Sequence, residues 1–182
     1  MNNKTLYFLL HSAMIAAIYV VLVLLFQPIS VSYIQVRFAE ALTILPFFTP
    51  AAIPGVTIGC LLGNILAGCD ILDIIFGTLA TLLGAIGSYS LRRYKFLVPI
   101  PPIAANTIII PWILRFAYGE AMSIPFMMLT VGIGEVISCG IIGIILLYCL
   151  KPYKKIFNIP GFTKVKDDYS NIHNLFHNNL NP

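Results

Sequence analysis

Charged and amide side chains stand inside or at the edges of long apolar stretches of this sequence. They are Gln35, Arg37, Glu40, Asn64, Asp70, Asp73, Asn106, Arg115 and Glu135. A charge in hydrocarbon costs at least about 2–3 kcal/mol, so such residues usually pair with each other or line a cavity. Carboxylates accept paired N–H groups, amides donate and accept, and arginine donates a planar fork. The set therefore suits a small polar solute, in particular a flat heterocycle with amide-like edges.

A purely structural interpretation of the same residues stays open. Arg37 and Glu40 are three residues apart on one helical face and can form an ion pair. Glu135 has no cation near it in the sequence, so it needs a distant partner, a proton or a ligand. Some aromatic rings can stack on a heterocycle, although membrane aromatics more often face lipid or core. These rings belong to Tyr33, Phe38, Phe47, Phe76 and Trp112.

Several chemistries have no motif in the sequence. There is no G-x-x-x-x-G-K-[ST] phosphate loop, no H-E-x-x-H and no serine nucleophile elbow. His173 and His177 have i, i+4 spacing but lack a third ligand, and the four cysteines form no C-x-x-C and are expected to be small buried hydrophobes. We therefore predict no catalytic residue, no metal, no cofactor and no nucleic-acid partner. An intramembrane enzyme using Glu135 or Asp73 as acid or base is a minor alternative.

The composition indicates an all-α integral membrane protein. The chain is 59% hydrophobic and 10% charged, whereas a soluble domain has about 25% charged residues. Residues 1–150 form one predicted membrane domain, and residues 151–182 form a polar cytoplasmic tail. Pro28 is predicted to end the first helix, and the second is short for a crossing, so the second and third can form one broken unit. The six predicted transmembrane helices are Leu6–Phe26, Val36–Phe48, Ala52–Ala67, Ile74–Leu91, Ile100–Tyr118 and Pro125–Leu150.

Basic residues set the predicted orientation. Lys4, the run from Arg92 to Lys95 and the lysines after Leu150 all fall on one side when six helices are counted. Basic loops face the cytoplasm, so both termini are predicted to be cytoplasmic in a multi-pass protein of the plasma membrane. With this topology, most of the polar residues at membrane depth lie toward the outer side.

Small residues recur at four-residue spacing on two of the predicted helices. Ala13 and Ala17 form one stripe, and a second stripe contains Gly55, Gly59, Gly63 and Ala67. Small residues let helix backbones approach closely. Each stripe can serve packing within the chain or docking onto another membrane protein, and the sequence alone does not separate these alternatives.

Four segments of the chain resemble the QueT family. They are Tyr33–Leu42, Ile58–Asn64, Leu72–Gly77 with Ala80–Leu82, and Val131–Glu135, and they occur in order within a similarity running from about Ala13 to Leu150. QueT proteins are substrate-capturing S components of energy-coupling-factor (ECF) transporters and are thought to import queuosine precursors such as preQ1, an amine-bearing deazaguanine. The resemblance implies a six-helix, S-component-like bundle.

The resemblance also implies partners and residue roles. The partners are a transmembrane coupling subunit and two cytoplasmic ATPase subunits. Ala13 and Ala17 take the docking role of the alanine-rich first helix. The implied solute pocket contains Gln35, Arg37, Glu40, Asn64, Asp73 and Glu135, and we add Asn106 from its position at membrane depth.

Overall fold

The computed structural model describes residues 3–30 and 36–157, with side chains placed from residue 36 onward and in residues 3–27. Tyr33, Gln35, His173 and His177 lie outside the described residues. Within these two ranges the chain is helical and contains no strand. The α-helices are α1 (Asn3–Ser30), α2 (Ala52–Leu66), α3 (Thr78–Ser90), α4 (Ile100–Phe116), α5 (Ile124–Glu135) and α6 (Gly143–Leu150).

Three long helical stretches have the length and apolar composition to cross a membrane. They are Asn3–Gln27, Asp73–Ser90 and Ile124–Phe157, and three shorter apolar helices accompany them. Large hydrophobic side chains cover much of the exterior, for example Leu25, Leu66 and Phe116, each more than 60% exposed. An exterior of this kind fits lipid rather than water. The number of crossings stays a prediction.

A 3₁₀ helix (Phe38–Phe47) occupies the centre of the bundle, where the sequence predicted a second transmembrane α-helix. Every residue from Ala39 to Pro46 is buried. A 3₁₀ helix rises about 2 Å per residue, so ten residues span about 20 Å, short of a hydrocarbon core of about 30 Å. The segment is therefore a buried insertion that precedes α2, which agrees with the alternative of a broken unit.

The glycine stripe of α2 packs against α1. A Cβ added at Gly59 would lie 2.6 Å from the Cβ of Tyr19, and one at Gly55 would lie 2.9 Å from the Cβ of Ile15. Packing within the chain thus accounts for this stripe. Ala13 and Ala17 are exposed, on the face of α1 that points away from α2.

Three of the predicted helices differ from their predictions. The first ends later than expected, and the fourth and sixth are not regular α-helices throughout. The prediction that Pro28 ends the first helix was wrong, since α1 continues to Ser30. A proline near the last turn removes one hydrogen bond without preventing two more helical residues. Two π-helical segments, Asp73–Gly77 and Val136–Ile142, interrupt the fourth and sixth helices. Such segments often occur at functional sites, and both begin next to a carboxylate, Asp73 or Glu135.

Candidate functional site: an outer ion pair, a cavity and an inner carboxylate pair

An ion pair joins the start of the 3₁₀ helix to the first π-helical segment. The Nη2 of Arg37 lies 3.3 Å from Oδ2 of Asp73, whose side chain is only 4% exposed. Tyr118 donates its hydroxyl to the same oxygen at 3.2 Å, and Nδ2 of Asn64 donates to the backbone carbonyl of Asp73 at 3.4 Å. The sequence allowed Arg37 to pair with Glu40, but in the structure it pairs with Asp73. We call Arg37 and Asp73 the outer ion pair.

A cavity of about 280 Å³ adjoins the outer ion pair. Its volume is close to the lower end of small-molecule sites in proteins. Polar and apolar groups from α1, α2, the first π-helical segment and the end of α4 line it together. The polar lining comprises Tyr19, Gln27, Arg37, Asn64, Asp73, Tyr118 and Glu120. Burial and the nearby charge of Asp73 raise the pKa of the Cys69 thiol on this wall, so that thiol stays protonated.

Two buried carboxylates lie deeper in the bundle, and we call Glu40 and Glu135 the inner carboxylate pair. Their side chains are 1% and 2% exposed. Oε1 of Glu40 accepts hydrogen bonds from Tyr19 at 2.5 Å and from Thr81 at 3.1 Å. Oε2 of Glu135 lies 3.2 Å from the thiol sulfur of Cys139. All these donors are neutral, and neither carboxylate forms an ion pair with a residue that the structure describes.

One polar atom of the inner carboxylate pair lacks a hydrogen-bond partner. Oε2 of Glu40 is buried without a donor. The amide of Asn106 interacts with the carboxylate of Glu135, although its Nδ2 does not reach ordinary hydrogen-bond geometry. An unsatisfied buried polar group costs about 1–3 kcal/mol, so natural proteins keep few of them without a reason. Oε2 of Glu40 is therefore available to a guest.

Comparison with known proteins decides the family. A family model described as QueT transporter matches residues 9–152, which is most of the chain. The chain belongs to the QueT transporter family. No curated protein and no solved structure matches it. Membership confirms the resemblance seen in the sequence and identifies a membrane transporter component rather than an enzyme.

One tyrosine separates the two polar regions of this QueT chain. Tyr19 lines the cavity and donates its hydroxyl to Glu40. Its side chain is only 2% exposed and belongs to the contact between α1 and α2. A solute in the cavity is thus one side chain away from the inner carboxylate pair.

The predicted site residues of the QueT chain fall into two groups. Arg37, Asn64 and Asp73 lie on the cavity wall, while Glu40, Asn106 and Glu135 belong to the deeper region. Gln35 lies outside the described residues. Arg115 is exposed and donates to the backbone carbonyl of Glu120 at 2.7 Å, away from both carboxylates.

Several contributing residues escaped the sequence analysis. Tyr19, Thr81 and Cys139 contact the carboxylates, and Tyr118 contacts Asp73. Thr81 lies within a segment that resembles the QueT family, whereas Tyr19, Cys139 and Tyr118 lie in none of those segments. Among the predicted stacking rings, Phe38 lines the cavity, whereas Phe76 and Trp112 are each more than 40% exposed at the surface.

The cysteines of the QueT chain do not behave alike. Cys60 and Cys139 are buried as expected, but Cys149 is exposed. Cys139 also joins a cluster with Glu40 and Glu135 in which one ligand-type atom from each lies within 4.8 Å of the others. Thiolate and carboxylate groups can hold a small cation. The spacing of these three residues in the sequence did not indicate that they would form a cluster.

Proposed function

We propose that this chain is the solute-capturing S component of an ECF-type importer and that it takes up a queuosine precursor, a preQ1-like deazaguanine, from outside the cell. The family match supports the transporter class. The observation that carries the solute-binding part is the polar cavity with buried, incompletely satisfied groups beside it, inside an otherwise apolar bundle.

The chemistry of the cavity region fits a flat, polar heterocycle. Such a ring presents N–H donors and a carbonyl acceptor in one plane, and amide and carboxylate side chains complement both kinds of group. A cavity of about 280 Å³ is large enough for a single bicyclic ring. Phe38 and Tyr19 supply aromatic surface on its wall.

Transport requires an energy source that the chain has no motif to provide. We propose that a transmembrane coupling subunit and two cytoplasmic ATPase subunits supply it, and that Ala13 and Ala17 form the docking stripe. Both alanines are exposed on α1, which supports this role. The proposed topology has six crossings in the plasma membrane and both termini in the cytoplasm.

Ligand-dependent thermal unfolding of the purified protein tests solute binding. A ligand that binds only the native state stabilises it by RT ln(1 + [L]/Kd), which is about 2.7 kcal/mol at a hundredfold excess over Kd. We expect preQ1, preQ0 or queuine to raise the unfolding temperature by several degrees. Native mass spectrometry of protein from its own host will identify a co-purifying solute.

Co-purification tests the docking stripe. We expect the double variant Ala13→Leu/Ala17→Leu to lose the coupling subunit, because the added side chains keep the two helices apart. Ala104→Leu is the matched control, since Ala104 is exposed on α4. Equal recovery of the coupling subunit with both proteins would remove the docking role.

One observation favours an alternative function, in which the chain is a structural membrane protein that binds no solute. The outer ion pair shows that some of the intramembrane charges satisfy each other. The same thermal unfolding experiment separates the two functions, because a chain with only a structural network gains no stability from any of the heterocycles.

A further inference from the structure

The inner carboxylate pair has an electrostatic environment that calls for a positively polarised group. Glu40 and Glu135 lie close together, both almost fully buried. Two carboxylates in a region of low dielectric constant repel each other unless protons, a cation or strong donors lie between them. The described residues provide a phenol, a hydroxyl, a thiol and the amide of Asn106, and the guanidinium of Arg37 attracts both carboxylates only from a distance. N–H groups of a guest would complete this environment.

The unpartnered oxygen indicates which groups the guest must present. Oε2 of Glu40 requires a donor, whereas the amide of Asn106 already interacts with Glu135. A complementary edge therefore carries N–H groups facing the carboxylates. A ring lactam with an adjacent exocyclic amine, as in a 2-aminopyrimidin-4-one, has this pattern.

The outer ion pair does not need a further hydrogen-bond donor. Asp73 already has the guanidinium of Arg37 and the hydroxyl of Tyr118 on its carboxylate. Gly77 also approaches it closely, since an added Cβ would lie 2.9 Å from Oδ1 of Asp73. Its acceptor capacity is largely used within the protein, so it is a poor site for a further donor group.

We infer that Glu40, Glu135 and Asn106 form an inner subsite that binds the 2-aminopyrimidin-4-one edge of the solute, while the outer ion pair positions the cavity wall. This inference rests on the proposed function. Tyr19 lies between the cavity and Glu40, so a ring edge that reaches the pair replaces the hydrogen bond from Tyr19 with its own N–H groups.

A cycle that changes both the protein and the ligand tests the assignment. Affinities of 7-deazaguanine and of 7-deazahypoxanthine, which lacks the exocyclic amine, are measured by calorimetry in detergent. Hydrogen bonds to charged groups are the stronger ones, so the wild type is expected to prefer 7-deazaguanine about tenfold or more. Glu40→Gln and Glu135→Gln are each expected to reduce that preference severalfold. In Ser90→Ala, an exposed position at the end of α3 outside the cavity lining, the preference is expected to persist.

The possible results separate the two proposals. Equal affinity of the wild type for both ligands overturns the inner subsite without any variant being needed, and so does an unchanged preference in both glutamine variants. Loss of binding after dialysis against EDTA overturns it in favour of a metal at the cluster with Cys139. If the wild type binds neither these ligands nor preQ1, the proposed function itself fails, and the subsite fails with it.

Discussion

The outer ion pair and the inner carboxylate pair contain acids that are almost equally buried but differ in their partners. Asp73 has a guanidinium, a tyrosine hydroxyl and a nearby amide around it. Glu40 and Glu135 have neutral donors, and Oε2 of Glu40 has none. Charges that satisfy each other contribute to the fold, whereas charges left incomplete are available for binding. Removing the partner of a buried acid should therefore cost stability in either region, whereas neutralising an inner carboxylate should mainly cost affinity.

Arg37→Ala should give the largest loss of stability. It leaves Asp73 buried without its cation, which in fully buried pairs costs about 3–5 kcal/mol. The side chain of Arg37 is 23% exposed, so solvent screening reduces the expected loss to about 2–3 kcal/mol. Thermal unfolding measures it, with the exposed Arg115→Ala as control. If the two variants unfold alike, the outer ion pair has no structural role.

Tyr19→Phe should cost about 2 kcal/mol of unfolding free energy. The change removes one of the two hydroxyl donors of Oε1 of Glu40, and hydrogen bonds to charged groups contribute about 1.5–3 kcal/mol. Tyr7→Phe on the same helix is a matched control, because Tyr7 is 49% exposed. A loss as small as that of the control would mean that Glu40 does not depend on this hydroxyl.

Glu135→Gln should lower solute affinity without lowering stability, whereas Arg37→Ala should lower stability. We expect solute affinity to fall at least about tenfold, since a charged hydrogen bond contributes about 1.5–3 kcal/mol. Stability without ligand should stay the same or rise, because one of two adjacent buried carboxylates is neutralised. Calorimetry and thermal unfolding on the same sample measure both quantities. Unchanged affinity would remove Glu135 from the site.

Tyr118→Phe should have the smallest effect, about 0.5–1 kcal/mol of stability. The hydroxyl donates to Asp73 and accepts from the backbone N–H of Asp70, but the side chain is about half exposed, so water can replace it. Thermal unfolding is the measurement. A loss as large as that of Arg37→Ala would show that the tyrosine, and not the arginine, holds Asp73 in place.

The sequence predicted the helical class and several helix positions well, because long apolar runs in lipid leave few alternatives. The bounds of α2 and α4 lie within two residues of their predictions. The second helix was different: local composition suggested an α-helix over Val36–Phe48, but the structure has a buried 3₁₀ helix there. The π-helical segments that begin at Asp73 and Val136 also had no sequence signal.

The sequence by itself determined that this chain belongs in a membrane, to which family it belongs, and which polar residues stand in its apolar helices, because these properties follow from residue type and local order. Only the tertiary structure decided the partners: Arg37 with Asp73 instead of Glu40, and Glu40 close to Glu135, which is ninety-five positions away (135 − 40). Electrostatic pairing depends on distances of a few ångströms across several helices, and no pattern within one helix specifies those distances.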